Sequence, residues 1–492
     1  MLQVEEAAGS LAAVVGQQGA RSPGSTWVEG ARDERVVDRA ELAAVVAAWR
    51  GQGLAGRRLG LVAADPVAFA VLFVALLAAG VTVVPLDADA PEEATRALLR
   101  TAGATGVVAP EGEDGDVQAD RATFRPTGTL VAPAAEPAGP GGCLLFSSGS
   151  TGPRKAIRLP EPQLLHVARA VARGHRLTAA DRGFNPLPLF HVNAEVIGLL
   201  APLVSGGAVV LDRRFHRTGF WPLVRDRRVT WINAVPAIIT ILSQEPPGEQ
   251  PPAGLRFVRS ASAPLPAPVL QRFEQRYGVP VIESYGMTEA ASQITANPLD
   301  DRRAGTVGVP VDVELRVVGD DGADAAPGEV GRVLLRGPGV ITGYEGDAGA
   351  DRFDAAGWLD TGDLGALDAD GYLTLAGRGG DVINRSGEKI FPREVEDVLR
   401  GHPAVREAVV VGRADPVLGQ VPVAWVVPAE GAPADLAEQL AARCADALPR
   451  AHRPAEVLLA ADLPHGPTGK TVRRLVAAHD ADLLAAGRGS GR

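Results

Sequence analysis

Residues 146–156 read FSSGSTGPRKA, the densest cluster of small hydroxyl residues and glycines in this chain of 492. Such a segment turns several backbone N–H groups and hydroxyls toward one point, and glycine lets the main chain approach a ligand without a Cβ in the way. The chemistry is that of an anion cradle, with phosphate oxygens as the natural guest and Lys155 as a mobile point charge. The G-x-x-x-x-G-K-[ST] spacing is absent, because Gly149 and Gly152 are too close and Lys155 follows Arg154. The segment is therefore a phosphate loop of another type or a plain Ser/Gly surface turn.

Four more clusters carry groups that could do chemistry: Glu283-Ser284-Tyr285-Gly286-Met287-Thr288-Glu289, Asp360-Thr361-Gly362-Asp363 with Gly377-Arg378, Arg385-Ser386-Gly387-Glu388-Lys389-Ile390, and Pro467-Thr468-Gly469-Lys470. A lone carboxylate beside a hydroxyl, as in Thr288-Glu289, suits Mg2+ held jointly with phosphates and water. Each cluster also has a plain alternative: a solvated surface acid for Glu289, a turn-forming Asp for Asp363, a surface ion pair for Arg378, a surface cation for Lys470. The segment 467–471 imitates a P-loop ending, but the first glycine that motif needs falls at Pro464, so that reading is discarded.

The elements that must position these groups alternate. Strands are expected at 59–63, 81–85 and 106–109 around helices at 67–79 and 91–101, the pattern of a parallel sheet covered by helices. A second series follows: a helix at 161–174, the segment 185–191 (NPLPLFH), an apolar stretch 197–204, strands at 208–211, 230–234, 255–260 and 281–284, and helices at 221–225, 236–242 and 268–277. Proline at a helix start is tolerated in the first turn. Ligands of open parallel sheets sit beyond the carboxyl ends of strands, where this reading puts several of the clusters. From 304 to 375 short alternating strands (313–318, 331–336, 372–375) give a small β-subdomain. Gly377-Arg378-Gly379-Gly380-Asp381 is glycine-rich enough to hinge. Beyond it, a helix at 392–400, strands at 405–412, 421–427 and 455–459 and a helix at 434–448 make a small α+β domain.

Composition bounds the rest. The chain is too long for one core, and 46% hydrophobic with 22% charged residues is ordinary for a globular protein. A net charge of −10 without a long Lys/Arg run argues against nucleic acid as partner. Cys143 and Cys444 fit no metal spacing and read as reduced, buried residues of a cytoplasmic protein. MLQVEEAAGS lacks the basic start of a signal peptide, and the apolar run 67–84, broken by Gly80, reads as a core helix entering a strand rather than a membrane span.

In this order and at these separations the clusters resemble the signature motifs of the adenylate-forming superfamily, which includes acyl-CoA synthetases, adenylation domains of peptide synthetases and luciferases. The resemblance spans nearly the whole chain. It implies an α/β fold: an N-terminal domain (1–376) of parallel-sheet units plus the β-subdomain, a hinge (377–381) and a mobile C-terminal domain (382–492). It implies ATP and Mg2+ as cofactors, with CoA as the acceptor, and a carboxylic acid converted to its acyl-adenylate with release of pyrophosphate. Ser147, Ser148, Gly149, Ser150, Thr151, Gly152 and Lys155 would wrap the β- and γ-phosphates. Family members have Pro before that lysine and Gly after it, where this chain has Arg154 and Ala156, so a differently shaped loop is expected. Ser262, Ala263 and Pro264 would flank adenine. Glu283 to Met287 would line the nucleotide, with Thr288 on a phosphate and Glu289 on Mg2+. Asp363 would accept the ribose hydroxyls, Arg378 would contact ribose or phosphate, and Gly387 would belong to a motif used in the second half-reaction. Lys470 would swing in to close the first. The family's hinge pivot, Asp or Lys, is Gly380 here.

The same resemblance puts the acid pocket among His191, Val192, Asn193, Val235, Ala261, Ser284, Gly286 and Met287. His191 stands where peptide-synthetase domains carry an aspartate for the substrate ammonium, which disfavours amino acids. Ser284 stands where malonate enzymes carry Arg. The segments 190–192 and 383–390 are most similar to the group containing oxalate:CoA ligase and related small-acid or aryl-acid ligases. His191 either gates the pocket or packs against it. Three activities stay open: an acid:CoA ligase; an adenylating ligase whose acceptor is a carrier-protein thiol or an amine, or which activates an inorganic oxyanion such as nitrite toward an aryl amine; and a nucleotide-binding protein without turnover.

Overall fold

The structure is a computed structural model and describes residues 9–110, 123–125, 140–146, 155–244, 248–346, 349–465 and 471–489. Among them four sheets form. The largest has nine strands in the order Val309–Pro310, Thr295–Ala296, Val281–Tyr285, Phe257–Ser260, Trp231–Ala234, Arg182–Asn185, Ala208–Leu211, Thr26–Gly30 and Val36–Asp38. The central six run parallel and the edges antiparallel. A second sheet has six strands: Thr123–Arg125, Gly106–Ala109, Arg58–Leu61, Thr82–Pro85, Gly142–Phe146 and Ala156–Pro160, the middle four parallel.

The helix Pro66–Ala78 is capped by Asp65, whose side chain accepts from the N–H of Ala68, and every residue from Val67 to Ala78 is buried. A helix apolar on all sides belongs inside a core. No helix among the described residues is long and apolar enough to cross a membrane.

Ala156 opens a strand, paired to Phe146 and bridged to Glu345, so no left-handed backbone is needed at this position, contrary to the expected change of loop shape there. The four-stranded antiparallel sheet contains Glu314–Val318, Gly331–Arg336, Leu359–Leu367 and Leu373–Arg378. The strand Leu359–Leu367 does not follow from the sequence pattern, because Asp360-Thr361-Gly362-Asp363 reads as a turn. The turn chemistry is real but is folded into the strand. Arg332 pairs with Leu364 and Leu334 with Asp360, so Thr361, Gly362 and Asp363 together oppose Val333 as a bulge. Gly362 takes φ +71°, and bulges of this kind re-aim side chains beside functional sites.

After the one-turn helix Gly379–Asp381, a hairpin (Ile383–Arg385, Glu388–Ile390), the long pair Val405–Asp415 and Gly419–Pro428, strand Glu456–Leu459 and helices Pro392–Arg400 and Leu436–Ala447 build a sheet with an apolar cluster on each face. The helix Arg473–Gly489, unexpected from the sequence, adds Val476 to one cluster. This lobe touches the rest through Arg393 Nη1 on the carbonyl of Leu375 at 3.0 Å and Lys389 on Asp320 at 3.0 Å.

Candidate active site

The strand Val281–Tyr285 sits in the sheet interior and delivers the segment 285–289 past its carboxyl end. Gly286 is required there: a Cβ would lie 1.7 Å from the carbonyl oxygen of Ser292. Residues Thr288–Ala290 form one tight turn, after which Ala291 (φ +46°) and Ser292 (φ +82°) adopt the left-handed region that side-chain-bearing residues rarely occupy. Their N–H groups return to the carbonyls of Thr288 and Met287, both at 3.0 Å. Strain of this kind persists where surrounding structure over-determines it, and it concentrates at sites.

Both ends of the segment are tied. At one, the Tyr285 hydroxyl donates to Asp363 Oδ2 at 2.5 Å, Arg378 Nε meets Asp363 Oδ1 at 2.8 Å, and Arg378 Nη1 donates to the carbonyl of Thr361 at 3.0 Å. At the other, the carboxylate of Glu289, 6% exposed, accepts from the Tyr344 hydroxyl at 2.8 Å. The ammonium of Lys155 stands 4.8 Å from the centroid of the Tyr344 ring. Burial, reinforced by the neighbouring Asp363 charge, pushes the Tyr285 phenol well above its ordinary pKa. Burial and Glu289 do the same to Tyr344. Both phenols therefore stay protonated as fixed donors to carboxylates. The arrangement sets an acid able to accept from a diol at one end and an acid beside the Thr288 hydroxyl at the other, with a lysine nearby.

The expected acid pocket is bordered by an unusual element. His191 is half-buried with its ring 4.5 Å from that of Phe190, and Asn193 opens a π-helix, Asn193–Leu200, all of whose residues are buried. π-Helical turns are rare and recur at functional sites. Asn193 Nδ2 donates to Ser262 Oγ at 3.0 Å, and Ser262 itself has φ +74° just past the strand Phe257–Ser260. Buried Ala261 donates its N–H to Ala234 at 3.3 Å, Val235 precedes the helix Pro236–Ser243, and the buried Ser284 Oγ has no hydrogen-bond partner among the described residues. Within the π-helix Glu195 is fully buried, 3.5 Å from the sulfur of Cys143 on the strand before the Ser/Gly segment. Burial raises its pKa to about 8.

Other expected residues lie elsewhere. Glu283 faces away from the pocket side of its strand, toward Arg393 and the N–H of Gly305, and burial raises its pKa to about 7. Ala263 and Pro264 continue the Ser262 turn, half-buried and exposed respectively. Gly387 (φ +88°) turns the hairpin of the C-terminal lobe and donates to Asn384 Oδ1 at 3.0 Å, while Glu388 meets His452 at 3.2 Å. Ser147, Ser148, Gly149, Ser150, Thr151, Gly152 and Lys470 lie outside the described residues. Among the described residues no cluster of three His, Cys, Asp or Glu could by itself hold a metal ion. Sequence reasoning missed Tyr344, which joins Glu289 to Lys155, and Arg259, buried beneath Asn193. The chain has only four tyrosines, and two of them serve this site; that scarcity was the available signal.

Comparison with known proteins adds a consistent set of likenesses. The AMP-binding enzyme family matches residues 40–345, and the AMP-binding enzyme C-terminal domain matches residues 394–470. The sulfoacetate–CoA ligase of Cupriavidus necator is 45% identical over 334 residues, 67% of this chain and 65% of that protein. The oxalate–CoA ligase of Arabidopsis thaliana is 38% identical over 349 residues, 69% of this chain and 67% of that one. The aligned stretch thus spans about two thirds of the length of these relatives. Among solved structures, the o-succinylbenzoate CoA synthetase of Bacillus subtilis with its acyl-adenylate intermediate superposes with a TM-score of 0.81 at 27% identity, covering 94% of this chain and 97% of that one. ATP-bound MatB from Rhodopseudomonas palustris gives 0.84 at 25% identity, covering 96% and 99%.

Proposed function

This chain belongs to the AMP-binding enzyme family, and on that footing we propose that it converts a small carboxylic acid to an acyl-adenylate with ATP and then transfers the acyl group to CoA. The observation that supports this most is the double tether of the segment 285–289: Tyr285 to Asp363, itself paired with Arg378, at one end, and Glu289 to Tyr344, whose ring Lys155 faces, at the other. A nucleotide laid along the segment meets a ribose acceptor at the first end and groups for its phosphates and Mg2+ at the second. Mg2+ enters as MgATP. A single buried carboxylate beside a hydroxyl fits an ion whose remaining ligands are phosphate oxygens and water.

In this reading a carboxylate oxygen bonds to the α-phosphorus as the bond to the bridging oxygen breaks, and pyrophosphate leaves with the electron pair. Lys155 and Thr288 offset charge on the outer phosphates, and Lys470 closes over the α-phosphate. The C-terminal lobe (382–492) then turns about 377–381, where Gly379 and Gly380 offer little steric resistance. The turn exchanges Lys470 for the 386–388 hairpin, and the CoA thiolate attacks the acyl carbon, releasing AMP. The relatives named for sulfoacetate and oxalate support a short acid, and the absence of an acid at His191 speaks against an amino acid.

A panel of small acids assayed for AMP and pyrophosphate, with and without CoA, tests this. CoA-dependent thioester with one AMP per turnover is expected. AMP formation that passes the acyl group to an amine or carrier thiol, but never to CoA, would overturn the assigned acceptor.

A further inference from the structure

The hairpin of strands Ile383–Arg385 and Glu388–Ile390 turns on two left-handed residues, Ser386 (φ +52°) and Gly387 (φ +88°). Ser386 carries a side chain, so its conformation persists only where the surroundings hold it. The N–H of Ser386 donates to the carbonyl of Leu418 at 2.8 Å, that of Asn384 to Gln420 Oε1 at 2.9 Å, and that of Gly387 to Asn384 Oδ1 at 3.0 Å. The segment 449–453 is strapped to the same hairpin, because Arg385 Nη1 donates to the carbonyl of Ala451 at 2.6 Å.

The ring of His452 completes the strap. Its Nε2 lies 3.2 Å from Oε1 of Glu388 on the hairpin, and its Nδ1 lies 2.8 Å from Oε2 of Glu394 on the helix Pro392–Arg400. The His452 side chain is 13% exposed, against 52% and 42% for the two glutamates, so the ring is the inner member of the cluster. An ionised carboxylate only accepts hydrogen bonds, so bonding to both requires two ring N–H groups, and imidazole has two only when protonated. Neutral His452 can serve one glutamate and turns a lone pair toward the other. The neighbouring charges are committed elsewhere or face outward: Arg385 and Arg453 donate to backbone carbonyls, Lys389 pairs with Asp320, Arg393 pairs with Asp397, and Arg450 is exposed. Imidazole is the side chain whose charge ordinarily changes between about pH 5 and 8.

We propose that His452 is a positioning residue for acyl transfer to CoA: its imidazolium clasps Glu388 to Glu394 and holds the 386–388 turn in the shape that enters the site once the lobe has turned. Loss of the proton opens one side of the clasp and loosens the turn, and a loose turn is slower to align with the reacting groups. This role presupposes the proposed adenylation and transfer to CoA, and it places a proton switch on the second of those steps. The first step uses Lys470 and does not call on the hairpin.

The test follows each half-reaction in the full chain near pH 6 and near pH 8.5, as the ratio of wild type to variant, so that ionisation of the CoA thiol cancels. For thioester formation from supplied acyl-adenylate, His452→Gln should be about 3- to 10-fold slower than wild type at the lower pH, the scale of partly exposed charged pairs. At the higher pH, where the wild-type clasp is already open, the two should match. Adenylate formation should be the same in both proteins at either pH. His452→Lys, a cation throughout, should match wild type at the lower pH and exceed it at the higher. A thioester defect of equal size at the two pH values, or one shared by both half-reactions, overturns the inference. Hydrogen exchange of residues 386–388, corrected for its intrinsic pH dependence, reads the clasp without turnover. Protection should fall in wild type between the two pH values and stay level in His452→Lys. Unchanged wild-type protection overturns the inference, and this readout decides it even where His452→Gln fails to fold. Adenylate that forms but never passes to CoA overturns the assigned acceptor instead, and the exchange measurement then decides the clasp by itself.

Discussion

Tyr344 holds Glu289 and Lys155 on two sides of one ring: its hydroxyl donates to the carboxylate at 2.8 Å, and the lysine ammonium lies 4.8 Å from its centroid. The carboxylate belongs to a strained turn after a central strand and the lysine to the residue before Ala156–Pro160, so a side chain from a third loop sets their separation. A charged hydrogen bond of this kind contributes about 1.5–3 kcal/mol. Tyr344→Phe should therefore lower kcat/KM for MgATP by roughly 10- to 100-fold while leaving the acid KM nearly unchanged. Steady-state kinetics with each substrate varied in turn checks this, and an effect on the acid KM alone would refute it.

The Tyr285–Asp363–Arg378 cluster makes a separate prediction. Asp363 is held by two donors before any ligand arrives, and the bulge opposite Val333 aims it. Asp363→Asn keeps the shape and removes the charge that both donors and a ribose diol would share, so nucleotide affinity should fall by about 10-fold or more. Binding of ATP and of its 2′-deoxy analogue, measured by calorimetry, should converge in the variant. A variant that still discriminates the two nucleotides as the parent does would show that Asp363 does not read the ribose.

Lys470 is expected to act in one half-reaction only. Lys470→Ala should cut adenylate formation by roughly 100-fold or more, the scale of losing a transition-state charge contact. Thioester formation from supplied acyl-adenylate should stay within about threefold of the parent. Equal losses in both steps would contradict the proposed exchange of the C-terminal lobe.

Glu195 gives a pH signature. Its pKa of about 8 in the folded protein lies above that of an unfolded glutamate, because burial disfavours the anion. The unfolded chain releases this proton first, so the contribution to stability is complete below about pH 4.5 and is lost as pH rises through about 8. Glu195→Gln should resemble the parent near pH 5 and exceed it in thermal stability near pH 8.5. Unfolding scans across that range check the sign, and a variant less stable than the parent at the higher pH would contradict it.

Much of this was legible in the sequence because local and global preferences agree. The helix Glu161–Gly174 falls at 161–174 as expected from its apolar spacing, and the strands that carry residues 260–262 and 285–289 lie where alternation put them. The misses share a cause. The strand Leu359–Leu367 was hidden because its turn residues form a bulge that only pairing on both sides imposes. The π-helix at Asn193 depends on packing rather than on a composition signature. Tyr344 lies 55 residues from Glu289 in an irregular loop and Arg259 sits in a wholly buried strand, so each takes its meaning from a partner distant in sequence.

Adenylation requires that an oxygen of the acid substrate bond to the innermost phosphorus of ATP. Acid labelled with 18O in its reacting carboxylate, turned over with ATP, Mg2+ and CoA, tests this directly by mass spectrometry of the phosphorus products. One label per turnover should appear in AMP and none in pyrophosphate. Label in orthophosphate, with ADP as the nucleotide product, would contradict the account.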